Sequence, residues 1–288
     1  MPRAALLIAG PAGLDDCDNG QRLIAGAGAS AAIAAAPFAP TQLWARVGPD
    51  YPEQCRQLLD ERRIDHSGLI AEGAATSSRQ LRDGTVQHQG PDLPQAEPHD
   101  PALLGGCAVI GLPAQEAERA VRVLQALPGE RWLLAAVAAA ACQREHLLRM
   151  AAASDVLIAP TDAAGAALGS DDALATAKIL QEAGARCIAL SAGPLGGLLL
   201  YKQKACTWPA DPTTPKPGAA PGAVFAGALA GFLCEHGKID FRGLKRGLQL
   251  ASAITGASLG GIGSKRLLNL DRGAYQELFN RLRRHVKA

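Results

Sequence analysis

Three short stretches of this sequence gather residue types suited to a small, oxygen-rich ligand. The first, GPAGLDDCDNG, follows an apolar run and carries Asp15, Asp16 and Asp18. A loop carboxylate at the end of a strand accepts hydrogen bonds from hydroxyl groups; otherwise such acids are turn residues facing water. The second, SAGPLGG, runs from Ser191 to Gly197. Its glycines, Gly193, Gly196 and Gly197, either let backbone approach a ligand or make ordinary turns. The third, KPGAAPGAVFAGALAGFL, runs from Lys216 to Leu233. A helix starting near Pro221 presents free N–H groups and a positive dipole end, which suit a phosphate. Its Gly227 and Gly231 share one face, and Val224, Phe225, Ala228, Leu229 and Phe232 are apolar, so a buried helix with a glycine seam is the competing reading.

Other chemistries lack their residues. The sequence holds no HExxH, no GxxxxGK[ST] and no Ser/His/Asp arrangement, and His66, His88, His99, His146, His236 and His285 are dispersed. This argues against a zinc hydrolase or a P-loop enzyme. The seven cysteines are odd in number, scattered and without a CxxC pair, as expected of reduced thiols in a cytoplasmic protein. Lys and Arg total 29 against 27 Asp and Glu, a net charge of +2. No global field draws nucleic acid or an anionic membrane, while local sites for small anions stay open. The first apolar run, of about six residues, is too short for a signal segment or a membrane span. The expectation is a soluble cytoplasmic protein.

The elements that must position these stretches alternate along the chain. Apolar runs at Ala4 to Ala9, Gln42 to Val47, Cys107 to Gly111, Trp132 to Val137, Val156 to Ala159 and Cys187 to Ser191 read as buried parallel strands. Between them, Ala27 to Ala36, Pro52 to Arg62, Ala114 to Leu127, Gln143 to Ala153 and Asp171 to Ala183 read as helices. Leu198 to Tyr201 and Lys204 to Thr207 read as a strand pair. Pro221 to His236, Phe241 to Leu259 and Leu270 to Val286 then read as helices. The polar stretch Ser77 to Gln89 predicts a hairpin around Asp83-Gly84, either a lid over a site or an exposed surface hairpin. At 288 residues the chain suffices for one large α/β domain.

In order, these pieces resemble the PfkB (ribokinase-like) family of carbohydrate and nucleoside kinases. GPAGLD, from Gly10 to Asp15, resembles its opening G-x-x-x-x-D, and AGAGAS, from Ala25 to Ser30, its G-G-x-x-x-N. ARVGPDYPEQCRQLLDERRIDHSGL, from Ala45 to Leu69, is similar to the G-x-D segment, the following helix and the G-I-D before the lid. VLIAPTDAAGAALG resembles the N-x-x-E segment, SAGPLGGLLL the nucleotide-side strand and turn, and GIGSKRLLNLDRGAYQELFNRLRRHV a C-terminal form. The resemblance implies a ribokinase-like three-layer α/β/α sandwich with a mostly parallel central sheet and a small β lid. It implies a single domain over 1–288, with the lid formed by parts of about 12–25 and 70–95. It places Asp15, Gly26 and Ser30 on the substrate side, Ser191, Gly193, Gly196, Ala220 and Gly222 on the nucleotide side, and Asp162 near magnesium. ATP and Mg²⁺ are the implied cofactors. In the family, the amides of D-T-x-G-A-G-D hold the transferring phosphate, and its final Asp takes the proton of the attacking hydroxyl.

This sequence departs from the pattern where the chemistry is done. Aligning VFAGALAGFL with the family helix puts Pro217 to Ala223 on the D-T-x-G-A-G-D loop and Ala223 on the base. A shift to Asp211-Pro212-Thr213 brings no acid back, because no Asp or Glu lies between Pro212 and Cys234. Loss of a general base removes about 10²- to 10⁴-fold of rate. Pro221 has no N–H for a phosphate. Ser30 stands for the family's Asn, Ala25 for its first Gly, and Ala159 and Asp162 for N-x-x-E. The expectation is a pseudokinase that binds a nucleotide or a sugar- or nucleoside-like molecule, as a monomer or homodimer. The alternatives are an active small-molecule kinase with a relocated base, and a structural or interaction protein without nucleotide.

Overall fold

The computed structural model describes residues 5–82, 85, 87, 90–98, 104–211, 213 and 215–287, with backbone only for 285–287. β1 (Ala5–Ala9) leads through β2 (Gly13–Asp16) and β3 (Arg22–Ala25) into α1 (Ala27–Ala35). Then come β4 (Thr41–Val47), α2 (Glu53–Glu61) and the short strands β5 (Ile64–Asp65), β6 (Leu69–Ala71) and β7 (Ser78–Gln80). The middle of the chain alternates β8 (Leu104–Ile110), α3 (Ala114–Ala126), β9 (Trp132–Ala136), α4 (Arg144–Ala153), β10 (Val156–Pro160), α5 (Thr161–Leu168), α6 (Ala173–Glu182) and β11 (Cys187–Ser191). After β12 (Gly197–Tyr201) and β13 (Lys204–Trp208) the chain is helical: α7 (Pro221–His236), α8 (Phe241–Leu259), α9 (Lys265–Leu268) and α10 (Arg272–Lys287).

The main sheet has the order β13-β12-β11-β10-β9-β8-β1-β4-β5, with β6 also on β4, and only β12 runs against the others. The chain leaves β1 for β4 on one side and resumes at β8 on the other. A crevice therefore opens at the C-terminal ends of the strands beside β1. Side chains of the central strands alternate between two cores. Leu6, Ile8, Ala108, Ile110, Val156 and Ile158 face α1, α7 and α8; Leu7, Ala9, Cys107, Val109 and Leu157 face α3, α4 and α6. Because both faces are covered, these strands are apolar at every position, which is why they stand out in the sequence.

The α1–α7 contact explains the glycine seam. A Cβ on Gly227 would lie 2.2 Å from the Ala31 carbonyl oxygen, and one on Gly231 would lie 2.7 Å from that of Ala35. The two backbones touch, and the remainder of α7 from Ala223 to Cys234 is buried.

A second sheet, β3-β2-β7, stands apart, with β2 antiparallel to β3 and parallel to β7. Asp15, Asp16 and Arg22 interrupt any apolar run, so residue pattern alone does not mark β2 and β3 as strands, whereas the family resemblance implies a small β lid from parts of about 12–25 and 70–95. The Asp83-Gly84 turn lies outside the described residues. On either side of it, the Gln80 N–H donates to the Thr85 carbonyl and the Gln87 N–H to that of Ser78, the pairing of a hairpin. Two short helices were also not anticipated: α5, whose TDAAGAAL carries no apolar stripe, and α9, ahead of the last helix.

Candidate functional site

A cavity of about 740 Å³ opens where the strand ends and the α7 N-terminus meet. Ile110, Ala136, Ile158 and Ser191 bring the ends of β8 to β11 to it, and Ala220, Gly222, Ala223 and Phe225 bring α7. Of the residues singled out in the sequence, Asp162, Ser191, Gly193, Gly196, Ala220, Gly222 and Ala223 line this one space; Asp15, Gly26 and Ser30 do not.

The α7 N-terminus has the geometry of an anion site with reduced means. No side chain caps it, no acid stands in its first turn, and Pro221 occupies the first helical position. The Val224 N–H bonds the Ala220 carbonyl at 3.0 Å. This leaves the amides of Gly222 and Ala223 without a partner among the described residues. Ala223 is buried, and its methyl group can neither accept nor donate a proton.

Two carboxylates reach the cavity from elsewhere. Asp162, in the first turn of α5, is exposed and engages no partner among the described residues. Asp211 accepts a hydrogen bond from the Thr213 hydroxyl at 2.9 Å and one from Arg281 Nη2 at 3.4 Å. Its methylene packs against Gly256 of α8, where a Cβ would come within 2.4 Å. Trp208 and Phe225 stack beside them, ring centroids 5.9 Å apart and planes 20° from parallel. Gly196 makes this wall possible: its φ is 92°, and a Cβ there would fall 1.9 Å from the Trp208 carbonyl oxygen.

Asp15, expected on a substrate side from the family resemblance, lies behind the loop that precedes α7. Asp15, on β2, is 1% exposed. Arg79, its register partner on β7, donates from Nε and Nη2 to Oδ1 at 3.1 and 2.9 Å, and from Nη2 to Oδ2 at 3.2 Å. Gly218, at φ 79°, and Gly263 pack against the same carboxylate: Cβ atoms there would lie 2.7 and 3.4 Å from Oδ2. Burial pushes the Asp15 carboxyl above its ordinary range, and the Arg79 charge and hydrogen bonds pull the other way. The C-terminal segment closes this region further: the Ser264 hydroxyl donates to the Ile24 carbonyl at 2.8 Å and Lys265 Nζ to Gln21 Oε1 at 2.7 Å. Gly26 precedes α1 and Ser30 is buried in its first turns, both on this side.

Sequence reasoning passed over Arg79. The signal available was a basic residue at a strand position of the polar hairpin, the chain segment best able to meet a lone buried acid. Asp50, retained from G-x-D, is tied to the backbone: Oδ1 accepts from the Thr76 N–H at 2.6 Å, and the Thr76 hydroxyl accepts from the Gly48 N–H at 3.0 Å. These bonds tie the turn after β4 to the segment before β7.

No protein-family model and no curated protein sequence matches the chain. Solved structures do. The chain is similar to aminoimidazole riboside kinase from Salmonella enterica, complexed with aminoimidazole riboside and an ATP analogue. The TM-score is 0.78 at 17% identity, over 96% of this chain and 99% of that one. It is similar to fructokinase from Xylella fastidiosa with bound ATP, TM-score 0.77 at 14% identity, covering 97% and 99%. It is also similar to fructokinase from Vibrio cholerae O395 with fructose, ADP and calcium, TM-score 0.74 at 14% identity, covering 96% and 99%. These neighbours are kinases of the family that the sequence resembles, and the chain has their ribokinase-like α/β fold.

Proposed function

We propose that this protein is a ribokinase-fold pseudokinase, a small-molecule-binding protein that no longer transfers a phosphoryl group. The observation that carries the reading is the α7 N-terminus: the residue facing the cavity where a base is needed is Ala223, and the turn offers no acid. The engagement of Asp15 by Arg79 supports it, because a carboxylate so buried and so bonded has little capacity left for a sugar hydroxyl.

ATP and Mg²⁺ are what kinases of this fold use, and the residues here do not fit them well. Among the described residues, no Lys, Arg or His lines the cavity, and no three His, Cys, Asp or Glu side chains gather to hold a metal. The donors left to meet a triphosphate include the amides of Gly222 and Ala223 and the hydroxyls of Ser191 and Ser252, and Asp162 adds negative charge. No step is assigned to either group.

The test is ADP release, followed by a coupled assay with ATP, Mg²⁺ and a panel of sugars and nucleosides. The expected rate equals the protein-free background with every acceptor; acceptor-dependent turnover at ordinary enzymatic rates, lost in Asp15→Asn, overturns the reading.

A further inference from the structure

Resting on that reading, we infer that the cavity takes an uncharged nucleoside, or a molecule of like size and polarity, and discriminates against its phosphorylated forms. The volume of about 740 Å³ lies within the roughly 300–1,000 Å³ of small-molecule pockets. Its walls are mainly apolar, and the buried, mutually stacked Trp208 and Phe225 rings back one of them, giving a water-poor edge for an apolar part of a ligand.

The polar groups select by charge. Carboxylates accept hydrogen bonds and do not donate them, so Asp162 and Asp211 match the hydroxyl and amino donors of a nucleoside. Asp162, unpaired among the described residues, repels phosphate oxygens, while the charge of Asp211 is partly offset by Arg281. Arg281, which lies outside the lining, pairs with Asp211 at 3.4 Å. A phosphate chain drawn in here would leave water for the amides of Gly222 and Ala223 and the hydroxyls of Ser191 and Ser252, with no Lys, Arg or His among the described residues of the lining to offset its charge. A neutral ligand meets none of these costs.

Isothermal titration calorimetry on the full chain tests the preference, with adenosine as the neutral probe against ADP and ATP, each with and without Mg²⁺. Adenosine is expected to bind at one site, and both nucleotides at least about tenfold more weakly. Asp162→Asn, an exposed position whose substitution leaves the fold undisturbed, is expected to narrow that gap at least threefold. The inference is overturned if ATP or ADP binds as tightly as adenosine, if adenosine does not bind, or if the gap is unchanged in Asp162→Asn. ATP binding without transfer defeats this preference and leaves the pseudokinase reading standing, whereas transfer defeats the pseudokinase reading itself.

Discussion

Arg79 and Asp15 face each other across neighbouring strands of the small sheet, joined by three hydrogen bonds of 2.9 to 3.2 Å, with the carboxylate 1% and the guanidinium side chain 39% exposed. The pair ties β7 to β2 at the point where a hydroxyl-binding acid is expected. It makes that acid a structural element.

Arg79→Ala leaves the Asp15 carboxylate buried and unpaired. Removing one partner of a fully buried pair costs about 3–5 kcal/mol; water reaches Arg79, so about 2 kcal/mol is expected at pH 7. An acid whose pKa is raised on folding holds a proton that the unfolded chain has released, so stability falls as pH rises through that window. Loss of Arg79 raises the Asp15 pKa further, so the deficit against wild type is largest at neutral pH and shrinks on acidification. Urea midpoints at pH 7 and about pH 5 check this. Equal deficits at both contradict it.

Gly227→Ala forces a methyl group into the Ala31 backbone and is expected to cost about 3 kcal/mol. Gly222→Ala, on the same helix, meets nothing within 4 Å and is expected to be neutral or to stabilise by up to about 1 kcal/mol. Thermal denaturation of the two variants side by side separates seam from propensity.

Asp240 caps α8 by accepting from the Gly243 N–H at 2.7 Å and pairs with Lys238 at 2.9 Å. The Lys238 hydrogen bond, then that from Gly243, draws its carboxyl down to about 2 from an ordinary 3.8. A lowered acid stabilises the fold above its unfolded pKa and loses that effect as pH falls through the folded one. Asp240→Ala is therefore expected to be less stable than wild type at pH 5, with the difference closing as pH approaches 2. Unfolding curves across that range provide the check.

Ala223→Asp returns the missing carboxylate but not its surroundings. Pro221 still lacks an N–H, Ala159 still stands for the family's Asn, and Asp15 is still held by Arg79. The expected gain in ATP-dependent turnover is below about tenfold, against the 10²- to 10⁴-fold of an intact general base. A gain within that intact range shows the remaining site to be whole.

The α/β framework was legible because strands buried on both faces write themselves as unbroken apolar runs, and the seam of α7 because two glycines four residues apart have few other uses. The small sheet was legible only through the family resemblance, which implied a β lid from parts of about 12–25 and 70–95, since Asp15 and Arg22 sit in strands too short and polar to show a period of two. Its key contact joins residues 64 apart in sequence, which no local pattern encodes. The alanine at 223, on which the proposed loss of a base rests, could be read directly from residue type. The charge of the cavity could not, because Asp162 follows β10 and Asp211 follows β13, and the two meet only once the sheet has formed.

A single-turnover experiment with protein in excess over γ-labelled ATP, Mg²⁺ present and pooled sugars and nucleosides as acceptors, detects even one transfer per site. The expected result is label remaining in ATP over hours, as in a protein-free control; label appearing in any acceptor in proportion to protein contradicts the loss of phosphoryl transfer.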